Sequence, residues 1–215
     1  MTRIHTGRLI LTPADPWLTV DPRALRAALA ALGFIGPPLP DDEGRPGPPA
    51  AIPRECPPTR PDAGADNRTL EPSQAFLTGE GFLALLAFAG CAVNLRLTPQ
   101  PGAGPFTYVR LVGPLASPLL LHSRNTRPPR CPLCRAPRRD WSEFLTAEAD
   151  TPFPCPACGA RQPAWMWDWK DRAGFGRYFL WVEEVFPGEA EPTPTFQAAL
   201  AQLTACPWRH FYLQD

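Results

Sequence analysis

Two pairs of cysteines constrain the fold of this chain more than any other feature of its sequence. The pairs are Cys131-Pro-Leu-Cys134 and Cys155-Pro-Ala-Cys158, and twenty residues separate them. Two C-x2-C units at such a spacing are typical of a tetrahedral site in which four thiolates surround one metal ion, most often Zn²⁺. The sequence therefore predicts a metal site with these four cysteines as its ligands.

A site with four thiolate ligands predicts a structural role for the metal. Four protein ligands fill the coordination shell, so no position is left open for a substrate. A proline follows the first cysteine of each pair and stiffens the loop. Gly159 follows the second pair, where the chain can adopt positive φ without strain, whereas the equivalent position after the first pair holds Arg135.

The segment from about residue 127 to 162 resembles the zinc-ribbon and rubredoxin-like group, through Cys131-Pro-Leu-Cys134 and Cys155-Pro-Ala-Cys158-Gly159. In that group each pair lies in a knuckle at a hairpin tip, and the two knuckles share one ion. The resemblance implies structural Zn²⁺; Fe is the alternative metal, and Arg135 in place of the usual glycine counts against it. Zinc ribbons serve many different proteins, so the resemblance implies a site and not a role.

Two other segments resemble bacterial proteins of unknown activity. These are Asn125-Thr-Arg-Pro-Pro-Arg-Cys131 and the C-terminal stretch Val-Phe-Pro-Gly-Glu-Ala, which begins at Val185. This second resemblance implies no mechanism.

The pattern of elements predicts an α+β fold, with a mixed or antiparallel sheet, a few helices and an inserted zinc ribbon. Strands are predicted at 7–12, 92–97, 106–112, 119–122, 177–186 and 208–213, and helices at 22–32, 80–89 and from 195. Trp165, Trp167 and Trp169 alternate as on one face of a strand, which predicts a hairpin with 177–186.

The predicted domains are an N-terminal part at 1–126, the zinc ribbon at 127–162, and a part at 163–215 that completes the core. A proline-rich segment at about 36–72 is predicted to be a long loop. Because residues 127–162 contain few large apolar side chains, we expect the ribbon to depend on its metal for its shape.

Charge and composition exclude some classes of protein. The formal net charge is zero, so the chain lacks the basic excess of a typical nucleic-acid-binding protein. Apolar runs are too short for a membrane span, and the N-terminus has no signal-peptide pattern. Four cysteines at metal spacing suit a reducing compartment, so we expect a cytoplasmic protein. The oligomeric state does not follow from the sequence.

A local cluster of arginines is the second candidate site. The stretch from residue 123 to 140 contains one acidic residue, Asp140, and six arginines: Arg124, Arg127, Arg130, Arg135, Arg138 and Arg139. Such a cluster can bind an acidic protein partner, although it can also offset the charge of a thiolate site.

Two alternatives to a protein-binding module stay open. The same arginines could bind nucleic acid if the nearby tryptophans stack on bases, namely Trp141, Trp165, Trp167 and Trp169. The chain could instead be an enzyme with its active site outside the ribbon, although no catalytic motif is present and no catalytic residue is predicted.

Overall fold

The structure is a computed structural model that describes residues 7–39, 73–89, 95–100 and 104–214. The strands are β1 (Gly7–Pro13), β2 (Ile35–Pro38), β3 (Gln74–Thr78), β4 (Leu86–Phe88), β5 (Val109–Val112), β6 (Leu119–Leu121), β7 (Pro152–Pro154), β8 (Arg161–Pro163), β9 (Gly174–Gly176), β10 (Phe179–Glu183), β11 (Ala190–Pro192) and β12 (Trp208–Gln214). The α-helices are α1 (Pro22–Ala31), α2 (Phe82–Leu85) and α3 (Pro194–Thr204), and short 3₁₀ helices lie at Trp141–Leu145 and Ala164–Met166.

The main sheet has six strands in the order β12-β1-β10-β5-β3-β2. Every neighbouring pair in it is antiparallel. Three two-stranded ladders join β4 to β11, β6 to β9 and β7 to β8. The predicted α+β class, with an antiparallel sheet and few helices, is confirmed.

Both faces of the main sheet are buried. Leu9 and Leu11 of β1 belong to a core that also contains Leu29 of α1 and Phe196 of α3. Ile10, between them, belongs to a second core on the other face. Because side chains alternate along a strand, β1 contributes to both cores, and its central run Leu9-Ile10-Leu11 is wholly apolar.

The ends of the two long helices follow local sequence signals. The Asp21 side chain accepts a hydrogen bond from the Arg23 amide at the start of α1, and Gly33 just beyond its end has φ of 67°. Thr193 caps α3 by accepting from the Phe196 amide, and a proline fills the first helical position. Each cap satisfies an amide that would otherwise lack a partner.

One predicted helix is wrong, and one predicted strand is tested only in part. The helix predicted at 80–89 is only the single turn Phe82–Leu85, and the following residues extend to pair with β11, with Phe88 opposite Ala190. A uniformly apolar run does not distinguish a helix from a strand. Pairing with β11 makes these residues a strand. The strand predicted at 92–97 falls partly outside the described residues, and residues 95–97 are not extended in a sheet.

The predicted tryptophan hairpin is also wrong. Residues Ala164–Met166 form a 3₁₀ turn, and β10 pairs with β1 and β5. The indoles of Trp167 and Trp169 donate back to the carbonyls of Gln162 and Ala164. These side chain–backbone bonds stabilise a turn. Tryptophans at alternate positions therefore occur here in a turn, although the same pattern is typical of a strand. The proline-rich segment lies outside the described residues beyond residue 39.

The cysteine region has an aromatic core of its own. Cys131 and Cys155 pack there with Phe144, Phe153 and Trp167, and with further side chains that follow residue 162. Chain beyond the predicted ribbon therefore supplies part of its interior. Residues 127–162 contribute Phe144 and Phe153 to this core, and the chain after residue 162 adds Trp167 and Trp169, so the region has more large apolar side chains than its own sequence indicates.

Candidate metal centre

The first cysteine pair lies in a tight backbone knuckle. The Cys131 amide donates to the Ala136 carbonyl at 2.9 Å, and the Arg135 amide donates back to the Cys131 carbonyl at 3.0 Å. These two bonds fold the chain so that both thiols of the pair lie on one side of the loop.

The second pair repeats this arrangement. The Cys155 amide donates to the Ala160 carbonyl at 2.8 Å, and the Gly159 amide donates to the Cys155 carbonyl at 2.9 Å. The residue after the second cysteine is left-handed in both knuckles, with φ of 63° at Arg135 and 73° at Gly159. Glycine adopts this conformation freely, whereas a side chain there costs about 1 kcal/mol or more.

The four sulfur atoms converge. All lie within 4.8 Å of one another, with Sγ–Sγ distances of 3.8 Å for Cys131 and Cys158 and 3.5 Å for Cys134 and Cys155. A tetrahedron with metal–sulfur bonds of about 2.3 Å has edges of about 3.8 Å. A disulfide would need about 2.05 Å, and all four are free thiols. The cluster could therefore hold one metal ion.

The two cysteines of each pair differ in their surroundings. Cys131 and Cys155 are 0% and 2% exposed and face the aromatic core. Cys134 and Cys158 are exposed. An ion held by all four would lie at the surface of the cysteine region, with the aromatic core on one side and water on the other.

The pKa values of Cys155 and Cys134 are shifted in opposite directions by their surroundings. The amides of Cys158 and Ala157 are the main donors to the Cys155 sulfur, and they lower its pKa to about 6. The Ala136 amide acts to lower the pKa of Cys134, but desolvation and contact with the other three sulfurs outweigh it and raise that pKa to about 12. The Cys155 thiol therefore ionises readily, and its negative charge disfavours ionisation of the neighbouring thiols. A bound cation would offset that repulsion.

The structure separates the six arginines into two groups. Arg138 is buried, with only 8% of its surface exposed. The other five are exposed: Arg124, Arg127, Arg130, Arg135 and Arg139. Of these, Arg135 binds Asp168 through its Nη2 atom at 2.8 Å. The surface available to a partner is therefore smaller than the sequence suggested.

Asp168 is a residue that sequence analysis missed. Its Oδ2 atom also accepts from Lys170 Nζ at 2.9 Å, and its backbone pairs with Arg130 beside the first knuckle. Burial acts to raise the pKa of Asp168, but Lys170 and Arg135 outweigh it, so the pKa lies below its usual value. No local motif marks this residue, because its partner Arg135 is remote in sequence.

The tryptophans are only partly accessible. Trp167 and Trp169 are 2% and 4% exposed, so neither can stack on a base. Trp165 is half-buried, and its Nε1 atom donates to Asp150 at 3.2 Å. Trp141 is half-buried and packs edge-on against Trp169. Most of the tryptophan surface needed for stacking on bases is thus buried.

Comparison of the chain with family models, curated proteins and solved structures gives no match. Neither resemblance noted in the sequence therefore gains support from a relative, and the site rests on its own geometry. None of the helices in the described part of the chain has the length and apolar character needed to cross a bilayer.

Proposed function

We propose that this protein binds one Zn²⁺ ion in a structural site with Cys131, Cys134, Cys155 and Cys158 as ligands. The observation that carries the proposal is the convergence of four sulfur atoms from two matching knuckles. Sulfur-only donor sets select soft or borderline ions such as Zn²⁺ over Mg²⁺ or Ca²⁺. Free thiolate ligands also need a reducing compartment, so we propose a cytoplasmic location.

The bound ion would supply positive charge that holds two segments of chain together. The backbone amides around each sulfur would orient the thiolates and disperse their charge. With four protein ligands the site offers no position for substrate, so the proposed role is structural.

Metal analysis of protein purified without added metal tests this proposal. We expect about one zinc per chain in the wild type and loss of the metal in Cys134→Ser with Cys158→Ser. Cys206→Ser is the matched control, because Cys206 is a free thiol outside the cluster. Equimolar iron would refute zinc but keep the site, and absence of both metals would refute the site.

We further propose that the exposed arginines bind an acidic protein partner. Arg124, Arg127, Arg130 and Arg139 are exposed, and Leu133 at the tip of the first knuckle is 68% exposed. Exposed cationic side chains and an exposed apolar side chain in the same stretch of sequence suit an acidic segment that carries an apolar residue.

Affinity capture with charge-reversed baits tests the partner proposal. Arg127→Glu with Arg139→Glu should lose acidic partners that the wild type retains at low salt. The matched control is Arg23→Glu with Arg26→Glu on exposed positions of α1, which changes the net charge equally. Equal partner lists from both double variants would contradict a specific arginine surface. Retention of nucleic acid in place of protein would favour the nucleic-acid alternative.

A further inference from the structure

Arg138 connects the two knuckles. Its backbone amide donates to the Pro129 carbonyl, beside the start of the first knuckle. Its side chain reaches the other hairpin, where Nη1 donates to the Pro154 carbonyl at 2.6 Å. Pro154 immediately precedes Cys155, so one arginine joins the chain on both sides of the sulfur cluster.

The guanidinium of Arg138 is enclosed by aromatic rings. Its central carbon lies 5.1 Å from the ring centre of Phe144, 5.4 Å from that of Phe153 and 5.7 Å from that of Trp167. The Glu143 carboxylate accepts from Nη2 at 2.6 Å and balances the charge. Ring faces attract a cation, and a desolvated charged hydrogen bond is stronger than an exposed one.

This environment makes Arg138 a costly residue to bury. Its Nε atom is buried and has no hydrogen-bond partner among the described residues. An apolar side chain of similar length would avoid that cost. What an apolar side chain could not do is donate to the carbonyl next to Cys155. The bond to Pro154 therefore explains an arginine here where a purely packing role does not.

We propose that Arg138 is a positioning residue that holds the second knuckle against the first before the metal binds. The proposal rests on the metal site proposed above. Together with the aromatic core, the bond from Arg138 to the Pro154 carbonyl fixes Cys131 and Cys155 relative to each other in the metal-free protein. Less chain entropy is then lost when the ion binds, and the metal affinity rises accordingly.

Arg161 provides a matched control. Its Nη2 atom donates to the Pro152 carbonyl at 3.1 Å, so it also binds a proline carbonyl close to Cys155. Arg161 is exposed, however, and it belongs to the same β7–β8 hairpin as its acceptor. Its removal therefore deletes a similar bond without separating the knuckles.

The first test compares zinc affinities by competition with a chromophoric chelator. Arg138→Met keeps the long apolar stem between the rings and deletes the donors and the charge. We expect its Zn²⁺ affinity to fall about 10- to 100-fold, the usual effect of losing a group that orients metal ligands, whereas Arg161→Met stays at the wild-type value. Wild-type affinity in Arg138→Met would overturn the proposal.

A second measurement covers the case in which Arg138→Met does not fold. Hydrogen exchange followed by NMR on the metal-free wild type should show the Arg138 guanidinium protons protected from solvent, because the bond to the Pro154 carbonyl and the enclosing rings persist without the ion. Loss of that protection, with the amides of β1 and β10 unaffected, would overturn the proposal. If the wild type bound no zinc, the metal proposal alone would fail, and exchange of the Arg138 protons would still test whether this side chain joins the two knuckles without the ion.

Discussion

Substitution of Gly159 by alanine tests whether the second knuckle holds its left-handed turn. Gly159 has φ of 73°, and a Cβ atom added there would meet no heavy atom of the part of the chain that the structure describes within 4 Å. The substitution therefore introduces backbone strain without a steric clash. The strain follows from the two hydrogen bonds that fold the chain around Cys155.

The magnitude follows from two opposing terms. A residue with a Cβ in the left-handed region costs roughly 1–2 kcal/mol. Alanine also reduces the freedom of the unfolded chain, which returns about 0.4–1 kcal/mol. We therefore expect Gly159→Ala to lower the free energy of unfolding by about 1 kcal/mol.

Urea unfolding at a fixed free zinc concentration, followed by tryptophan fluorescence, measures this loss. Gly188→Ala is the matched control, because Gly188 has φ of 80° and open space around its Cβ position but lies in a turn away from the cysteines. Both variants should lose a similar free energy. A loss in Gly188→Ala with none in Gly159→Ala would refute the left-handed knuckle.

Three further predictions follow from other contacts. At position 135, where φ is 63°, glycine should give a protein about 1 kcal/mol more stable to urea than alanine does, since both lose the ion pair; the reverse order would contradict the strained turn. Glu183 binds Arg8 and Arg110 in the interior, so Glu183→Gln should lower stability by roughly 3–5 kcal/mol in calorimetry, and a loss below about 1 kcal/mol would count against that network. Burial lowers the pKa of His122 below 6.5, so the unfolded chain binds the proton more readily; stability should fall as the pH drops from 6.5 through the lowered pKa, and NMR titration showing a pKa at or above 6.5 would disagree.

Features that depend on local chemistry followed from the sequence. The two cysteine pairs are recognisable because each knuckle is built from about six consecutive residues. The starts of α1 and α3 are recognisable because a capping side chain and a proline adjoin each other, at Asp21 and at Thr193. In these cases the interacting groups are neighbours along the chain.

Features that depend on distant partners did not follow. Arg138 looked like one member of a surface cluster, because nothing near it in sequence indicates that Phe153 and Trp167 would enclose it. Alternation of tryptophans at 165–169 indicated a strand, but indole-to-carbonyl bonds made a turn of the same pattern. The ion pair of Arg135 with Asp168 spans segments that only the folded chain brings together.

X-ray absorption at the zinc edge on the purified full-length protein tests the central claim most directly. The account predicts one shell of four sulfur neighbours at about 2.3 Å and no nitrogen or oxygen ligand. A shell that contains nitrogen or oxygen, or fewer than four sulfurs, would contradict the claim that the two knuckles together coordinate a single ion.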